Sequence, residues 1–398
     1  MNAQTTFIQM LDRHVTDARI RISTGEEIFT VGRSGDNGDG DYAVTVTIHN
    51  RRFFSDVLRK GNLGMGESYM AGDFDITEGT LQDFLTILLR NRIDQRIRTD
   101  YSTMLKILGV QILNALSGKR INIKKHYDDV GDDLFEMMLD KSMSYTCGYA
   151  ASPDDSLEQM QFNKLDRICR KLRLQPGDHL MDIGCGYGNL LIHAARHYGV
   201  TGVGITNSIQ HCNRGNQNIA ESELADKVRI EFGDFRKMAG RYNKIASVGM
   251  LEHLQPGEHN NYFRGIAQAL EPRGLGIIHT VGCNAAKNIH DPFIQKYIFP
   301  GSAQARLSEI ANGLERHGLP VHDVENISRH YAITIKHWLD RFNKTKDQLD
   351  NRRYDRTFKR MWEYYLCCGI AAAKASDSAL WQVLFSNDYA YPMPLQRI

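Results

Sequence analysis

Three glycines at alternate positions follow an apolar segment near the middle of the chain. Gly184, Gly186 and Gly188 come after Asp182-Ile183, with Cys185 between the first two. Glycine has no Cβ and adopts positive φ, so backbone N–H groups and the start of a following helix can approach a ligand closely. The spacing differs from the G-x-G-x-x-G of dinucleotide-binding proteins and lacks the Lys-Ser/Thr of a phosphate loop. We expect a nucleotide-type ligand other than NAD or ATP, although such a triplet alone is equally compatible with a structural turn.

Polar residues follow the other apolar segments that we predict to be strands. After a first strand at 179–183 these segments are residues 200–206, 228–232, 244–250 and 275–282, with helical patterns between them. Strands that alternate with helices predict an α/β fold with a parallel, doubly wound sheet, whose ligands bind outside the carboxyl ends of the strands. Those ends carry Gly184, Thr206, Asp234 and Glu252.

The flanking regions have different patterns. We predict short strands at 20–23, 27–31, 43–49 and 53–58, a glycine-punctuated loop at 64–73 and a helix at 80–89. Beyond the fifth strand we predict a helical cap from residues 302–313, 333–342 and 354–375, then a last strand at 380–385. The resulting division is a small N-terminal α+β domain at 1–115, a linker at 116–140 and a catalytic domain at 141–398.

The composition is that of a globular enzyme. The 398 residues are 42% hydrophobic and 24% charged, and the net charge of +2 argues against a nucleic-acid-binding protein. We see neither an apolar run of about 18 residues, which a membrane span needs, nor a signal peptide, and therefore expect a cytoplasmic protein. The seven cysteines have no paired C-x-x-C spacing, so neither a disulfide framework nor a metal site is expected.

One segment is far more basic than the nearly neutral chain as a whole. Residues 86–126 contain nine Arg or Lys and two Asp, a balance of +7, around the apolar stretch 104–113. Apolar helix surface flanked by basic side chains can lie on an anionic membrane face. We therefore expect residues 90–125 to bind the membrane peripherally, with an ordinary interdomain helix as the equally simple alternative.

Several ordered motifs resemble those of the cyclopropane-fatty-acyl-phospholipid synthases, a family of class I S-adenosylmethionine (SAM) methyltransferases with a Rossmann-like sheet. An acidic residue just before G-x-G-x-G is itself the first motif of class I methyltransferases. The motifs lie at residues 145–149, 182–188, 204–208, 247–253, 279–282, 296–301, 364–366 and 380–382. The N-terminal part, including residues 66–69, resembles the extra domain of the longer bacterial synthases. The resemblance covers nearly the whole chain.

The resemblance implies addition of the SAM methyl group to a cis double bond in a membrane phospholipid. The cation so formed loses a proton from the new methyl group, which closes a three-membered ring. The base implied is a bicarbonate ion held by Cys147, Glu252, His279, the Val281 backbone and Tyr331. Without the resemblance, Cys147 and His279 would more simply be buried core residues.

The resemblance also implies the residues that bind SAM. They are Tyr145, Thr146, Asp182, Gly184, Cys185, Gly186, Gly188, Thr206, Asp234 and Phe235. Asp234 can accept from the adenine amino group, and Phe235 can stack on its ring. The second strand lacks the usual acidic terminus for ribose, and the family glutamine is shifted by one position, so either Gln210 or His211 is expected to contact ribose.

Three alternatives remain open from the sequence. Relatives of the family stop at a methyl or methylene branch on a fatty acid, or methylate amines. A lipid-binding protein with a vestigial SAM site is a further alternative. A nucleic-acid methyltransferase is least expected, since the Asp/Asn-Pro-Pro-Tyr loop is absent after the fourth strand. The resemblance further implies a homodimer at the inner face of the membrane.

Overall fold

The apolar patterns of the sequence become two units that interleave along the chain. The computed structural model describes residues 2–33, 43–93, 96, 130–284 and 291–396. The first unit comprises Met1–Met137, Asp291–Pro300 and Trp338–Ala375, and the second comprises Met138–His290, Gly301–His337 and Ser376–Ile398. Two segments from the C-terminal half thus pack with the N-terminal half. The division at 1–115, 116–140 and 141–398 stays a prediction.

The first unit is built on a four-stranded sheet with the order β2-β1-β3-β4. Strand β1 pairs parallel with β3, whereas β2 and β4 pair antiparallel with β1 and β3 respectively. The elements are α1 (Ala3–His14), β1 (Arg19–Ser23), β2 (Ile28–Val31), β3 (Ala43–Ile48), α2 (Arg52–Lys60), α3 (Asn62–Ala71), β4 (Phe74–Glu78), α4 (Leu81–Arg90) and α5 (Asp132–Met138).

The strand predicted at 53–58 is wrong, because these residues lie in helix α2. Its buried residues are Phe53, Phe54, Val57 and Leu58, a spacing that places all four on one helical face. An apolar run this short does not distinguish a strand from a buried helix.

The loop predicted at 64–73 is also wrong, because Gly64 and Gly66 lie inside helix α3 and Gly72 is its C-cap. The first two permit close packing instead of a turn. A Cβ on Gly66 would lie 2.3 Å from Phe293 Cδ2 and 2.9 Å from Tyr364 Cε1, and one on Gly64 would lie 2.1 Å from the Asp56 carbonyl oxygen.

The second unit contains a mixed sheet with the order β11-β12-β9-β8-β5-β6-β7, and β10 pairs with β9. Strands β5 to β10 pair in parallel, and β12 pairs antiparallel with both β9 and β11. The elements are α6 (Leu157–Lys171), β5 (His179–Ile183), α7 (Asn189–Tyr198), β6 (Thr201–Thr206), α8 (Ile209–Glu221), β7 (Val228–Phe232), β8 (Tyr242–Val248), α9 (His259–Ala269), β9 (Leu270–Cys283), α10 (Pro292–Tyr297), β10 (Ala305–Arg306), α11 (Leu307–Arg316), β11 (Val321–Asn326), α12 (Ser328–Thr345), α13 (Arg356–Lys374) and β12 (Ser378–Ser386).

This element order includes three helical stretches of the first unit. They are α10, α13 and the part of α12 from Trp338 onward. The helices predicted as a cap beyond the fifth strand are therefore divided between the units. The stretch predicted as a helix at 302–313 contains the short strand β10 before α11 begins at Leu307.

Both faces of the large sheet are covered by apolar side chains. Met181 and Ile183 lie in one buried cluster, whereas Leu180, which precedes Met181, lies in another. Ile278 and Ile277 of β9 divide between the same two clusters. Successive side chains of a strand point to opposite faces, so the sheet is the central layer of a doubly wound arrangement, as predicted.

The predicted membrane-binding segment lies largely outside the described residues. Of its basic residues, Arg90 pairs with Asp17, and Arg96 donates to the His14 carbonyl at 2.9 Å. Arg92 is exposed. No helix within the described part of the chain is long and apolar enough to cross a membrane.

We predict opposite effects for two glycine-to-alanine substitutions in helices. Gly66→Ala should destabilise the protein by about 1–3 kcal/mol, because its methyl group would overlap two rigid rings. Gly265→Ala in α9 should stabilise by about 0.5–1 kcal/mol, since nothing lies within 4 Å of the added Cβ. Calorimetric unfolding checks both values. A Gly66→Ala protein as stable as the wild type would contradict the packing described for α3.

Candidate functional site

The predicted site residues meet because the parallel strands end at the same level. Ile183 of β5 lies opposite Ile205 of β6 on one side and Ser247 of β8 on the other. Val248 lies opposite His279 of β9. The polar residues that follow these strands therefore share one edge of the sheet, at the point where the chain order reverses.

Each glycine of the loop 184–188 has its own structural reason. Gly184, Gly186 and Gly188 have φ of 77°, 53° and 79°. A Cβ on Gly184 would lie 2.8 Å from Met250 Cγ, and one on Gly188 2.7 Å from Ile230 Cδ1, so these two permit packing. Gly186 has nothing within 4 Å of an added Cβ. Its backbone is thus open to a ligand.

Cys185 and Asp182 connect this loop to the sheet and to the buried interior. The Cys185 and Gly184 N–H groups both donate to the Ile205 carbonyl, at 3.1 and 2.9 Å. Asp182 is 2% exposed, and its Oδ1 has no hydrogen-bond partner among the described residues. Burial raises the pKa of Asp182 to about 7, although Lys164 acts in the opposite direction.

The segment before the first strand is tied to the loop by side-chain hydrogen bonds. Asn189, at the start of α7, donates to the Ser142 carbonyl at 2.6 Å. Lys164 donates to Thr146 Oγ1 at 2.9 Å, while Thr146 Cγ2 lies 2.7 Å from the position of a Cβ on Gly249. Thr146 therefore lies beside the turn that follows β8, and Tyr145 is half-buried next to it.

Glu252 lies on that turn, in the 3₁₀ helix Leu251–His253, and its carboxylate is fixed by strand β9. Thr280 Oγ1 donates to Oε2 at 2.6 Å, and the Val281 N–H donates to Oε1 at 3.3 Å. The Glu252 carbonyl also accepts from the Ala303 N–H at 3.0 Å. Two hydrogen bonds thus orient the half-buried carboxylate, and a third fixes the backbone of the same residue. The Val281 N–H, expected to bind an anion, thus already has Glu252 as its acceptor.

His279 is a buried neutral imidazole. It is 1% exposed, and burial lowers its pKa to about 3. Gln382 of β12 lies opposite it and donates from Nε2 to Nδ1 at 3.1 Å. The ring proton is therefore on Nε2, which has no partner among the described residues. An uncommitted donor thus lies at the edge of the sheet that carries Glu252.

The remaining predicted catalytic residues form one small cluster. Cys147 packs with Ile327 and Leu380, and Val281 and Tyr331 pack against these three. Burial raises the pKa of the Cys147 thiol to about 12, so the thiol is protonated and serves as a weak donor, not as a nucleophile.

The residues expected around the nucleoside lie farther along the same edge. Thr206 ends β6, and its Oγ1 accepts from the Ser208 N–H at 3.3 Å. Asp234 begins a 3₁₀ helix and pairs with Arg236, whose hydrogen bond holds the pKa of that carboxyl below its usual range. Asp234 therefore already has one donor before it accepts any other. Phe235 contacts Tyr262 edge to face, with ring centroids 5.9 Å apart.

Gln210 and His211, the two alternatives for ribose, differ in their surroundings. The His211 ring lies with its centroid 4.5 Å from that of Tyr187, inside the glycine loop. Gln210 is exposed at the start of α8. His211 is thus the residue beside the loop.

Sequence reasoning missed three polar residues that organise the site. Thr280 and Gln382 orient Glu252 and His279, and Lys164 holds Thr146. Thr280 and Gln382 lay within motifs of the resemblance, but their partners become apparent only with the strand pairing. The signal that could have found Lys164 is its place among apolar residues at helical spacing, such as Met160 and Ile168.

Comparisons with known proteins agree with this architecture. The family model for mycolic acid cyclopropane synthetase matches residues 115–383. The cyclopropane-fatty-acyl-phospholipid synthase of Escherichia coli (strain K12) is 36% identical over 360 residues, which are 90% of this chain and 91% of that protein. The tuberculostearic acid methyltransferase of Mycobacterium tuberculosis is 30% identical over 340 residues, 81% of this chain and 78% of that protein.

A solved structure agrees as well. A mycolic acid cyclopropane synthase in complex with SAH and CTAB has a TM-score of 0.61 and 26% identity, over 66% of this chain and 96% of that chain. The fold predicted from the sequence and the family predicted from its motifs are both confirmed. With its family model matched over more than half of the sequence, the chain belongs to the cyclopropane synthetase family of class I SAM-dependent methyltransferases.

Proposed function

We propose that the protein adds a methylene group from SAM to the cis double bond of an unsaturated acyl chain in a membrane phospholipid, forming a cyclopropane ring. The observation that carries the proposal is the oriented Glu252 carboxylate at the sheet edge that also carries neutral His279. The E. coli relative, named as a synthase of this kind, matches nine-tenths of the chain. Proton removal beside a developing carbocation needs such polar groups in a site that otherwise excludes water.

The residues present fit SAM. Gly186 leaves its backbone open to a ligand, and the buried Asp182 supplies negative charge beneath the loop. His211 beside Tyr187 fits contact with ribose, and Asp234 and Phe235 fit the adenine. When bound, SAM supplies an electrophilic methyl group. The bond from sulfur to this methyl breaks as a bond to one alkene carbon forms, which leaves a positive charge on the neighbouring carbon.

The residues also fit a bicarbonate ion, which would supply the base. His279 Nε2–H is an uncommitted buried donor. The protonated Cys147 thiol donates to the Gly148 carbonyl at 3.0 Å and would exchange that acceptor for the ion. Tyr331 packs in the same cluster as Cys147 and Val281. Glu252 would accept a hydrogen bond from the bicarbonate hydroxyl, since two bare anions in contact repel each other, and the bicarbonate would take the proton of the methyl group. The C–H electrons of the deprotonated methyl group close the ring.

A related reaction is the second candidate. The tuberculostearic acid methyltransferase is 30% identical to this chain, so a methyl or methylene branch on a fatty acid is the alternative product. Both products start from the same cation. Loss of a proton then leads either to the carbon–carbon bond that closes the ring or to a carbon–carbon double bond. An amine acceptor has no observation in its favour among the described residues.

Peripheral binding to an anionic membrane and assembly as a homodimer are parts of the proposal. Such binding brings the protein to its lipid substrate, and a position at the inner face of the membrane follows from that. The basic residues of 90–125 support it, although Arg90 and Arg96 have partners within the first unit.

Replacement of the carboxylate tests the proposed reaction. Glu252→Gln should lower turnover of SAM on monounsaturated phospholipid vesicles by about 100-fold or more, with SAM affinity within about threefold of wild type, because the residue serves proton removal. Product mass and calorimetric binding give the two values. Glu315→Gln, which removes an exposed carboxylate of α11, is the control and should leave both unchanged. Equal losses in turnover and affinity would make Glu252 a cofactor ligand, and SAM binding without product in the wild type would indicate a vestigial site.

The proposed base can be tested through Gln382. Removal of dissolved bicarbonate should slow the wild type, and added bicarbonate should restore its rate. Gln382→Leu should raise the bicarbonate concentration for half-maximal rate by about tenfold, because His279 loses the hydrogen bond that fixes its donor on Nε2. SAM affinity should not change. A wild-type rate independent of bicarbonate would eliminate this base.

Membrane binding is tested at Arg92, which is exposed, and at Arg98, which lies outside the described residues. Arg92→Gln combined with Arg98→Gln should weaken binding to anionic vesicles by about 1 kcal/mol per charge at low salt, and less at high salt. Vesicle sedimentation measures it, with Arg229→Gln combined with Arg316→Gln as the control of equal charge. Equal binding by both double variants would reduce the basic segment to a linker.

A further inference from the structure

Helix α6 buries two lysines on one face, and only one of them has a carboxylate partner. Lys164 and Lys171 are each 2% exposed. Lys171 pairs with Glu325 at 2.6 Å and Asp323 at 3.3 Å. Lys164 forms no ion pair with any residue that the structure describes. A buried ammonium is costly unless its charge is compensated nearby.

Within the described part of the chain, the Lys164 ammonium has one hydrogen bond, in which Nζ donates to Thr146 Oγ1 of the candidate site at 2.9 Å. One turn earlier, Gln161 Nε2 donates to the Thr146 carbonyl at 2.8 Å. Helix α6 thus fixes both the backbone and the side chain of Thr146, at the point where we propose that SAM binds.

The titratable groups that face Lys164 come from four further segments of the chain. They are Asp140 and Cys147 of the segment before β5, Asp182 of β5, His193 of α7 and His279 of β9. Burial lowers the pKa of Lys164 to about 8, and Asp140, Cys147 and Asp182 oppose this shift. The two histidines are held neutral by burial, and the Lys164 charge lowers their pKa values further.

The two carboxylates near Lys164 differ in the hydrogen bonds that they accept. Asp140 accepts from the Ser142 N–H at 3.0 Å, from Ser142 Oγ at 2.5 Å and from the Ser144 N–H at 3.1 Å. Asp182 Oδ1 has no such donor within the described chain. The ionisation of Asp182, far more than that of Asp140, therefore depends on the charge of Lys164.

We propose that Lys164 is a positioning residue that fixes Thr146 and keeps Asp182 ionised, so that the Lys164–Asp182 pair controls SAM binding. This inference rests on the proposed function, because it requires SAM at the glycine loop. The negative charge of Asp182 lies beneath that loop in a site of low dielectric, where it attracts the cationic groups of SAM without touching them. Lys164 favours that negative charge, and the Thr146 hydroxyl accepts from the same ammonium.

The sign of the pH dependence follows from Asp182. Protonation of Asp182 removes the negative charge, so affinity for SAM should fall as the pH falls below about 7. Without the charge of Lys164, Asp182 holds its proton to a higher pH. The midpoint of the affinity profile should then move upward, while affinity well above that midpoint is retained.

The experiment measures binding of SAH, which carries the same ammonium group and does not react, by calorimetry between pH 5.5 and 9. Lys164→Met removes the charge and the hydrogen bond, and Lys164→Gln removes the charge but keeps a donor for Thr146. We expect both variants to move the midpoint up by about one pH unit, which weakens SAH binding at neutral pH up to about tenfold. Lys164→Gln carries the test if Lys164→Met does not fold. Lys171→Met, the loss of a buried lysine from the same helix, should leave the midpoint unchanged.

The outcomes separate the inference from the proposed function. A wild-type protein that binds no SAH at any pH overturns both. Binding in the wild type that is constant across the pH range overturns the inference alone, as does an unchanged midpoint in the Lys164 variants. An equal loss of affinity at every pH would make Lys164 merely structural.

Discussion

The register between strands β8 and β9 is the constraint on which the candidate site depends. Because Val248 lies opposite His279, the turn after β8 lies against the last residues of β9. Glu252 therefore meets the Thr280 hydroxyl and the Val281 N–H, and the antiparallel partner β12 brings Gln382 to His279. A shift of one residue would turn each of these side chains to the other face of the sheet.

The site combines burial with a small number of compensated charges. His279 and Cys147 are neutral because burial disfavours their charged forms. The charges that remain, on Glu252, Asp182 and Lys164, each have a partner or an opposing charge nearby. A buried site with few charges fits the proton removal beside a carbocation that we propose.

The sequence predicted the elements that carry strong apolar patterns. The strands from β5 to β9 and the glycine loop between β5 and α7 lie where alternation and glycine spacing indicated. The errors were at 53–58 and 64–73, where short apolar runs and glycines are ambiguous until packing partners such as Phe293 and Tyr364 are known.

In the candidate site, too, some residues could be predicted from the sequence and others could not. The motif residues were found, because their types are required by the chemistry. Thr280, Gln382 and Lys164 were not assigned roles, since each acts on a residue that is distant in sequence and becomes its neighbour only through strand or helix pairing. Long-range partners of this kind are not encoded in local spacing.

The central claim is that the proton lost in the reaction comes from the transferred methyl group. The most direct test is incubation of the protein with SAM that carries a trideuterated methyl group and with vesicles of monounsaturated phospholipid, followed by mass spectrometry and NMR of the fatty acids. The account predicts a product that retains two of the three deuterium atoms, both on a ring carbon with upfield ring protons beside it. A product that keeps all three, or that carries the label in a vinylidene group or on a head-group amine, would contradict it.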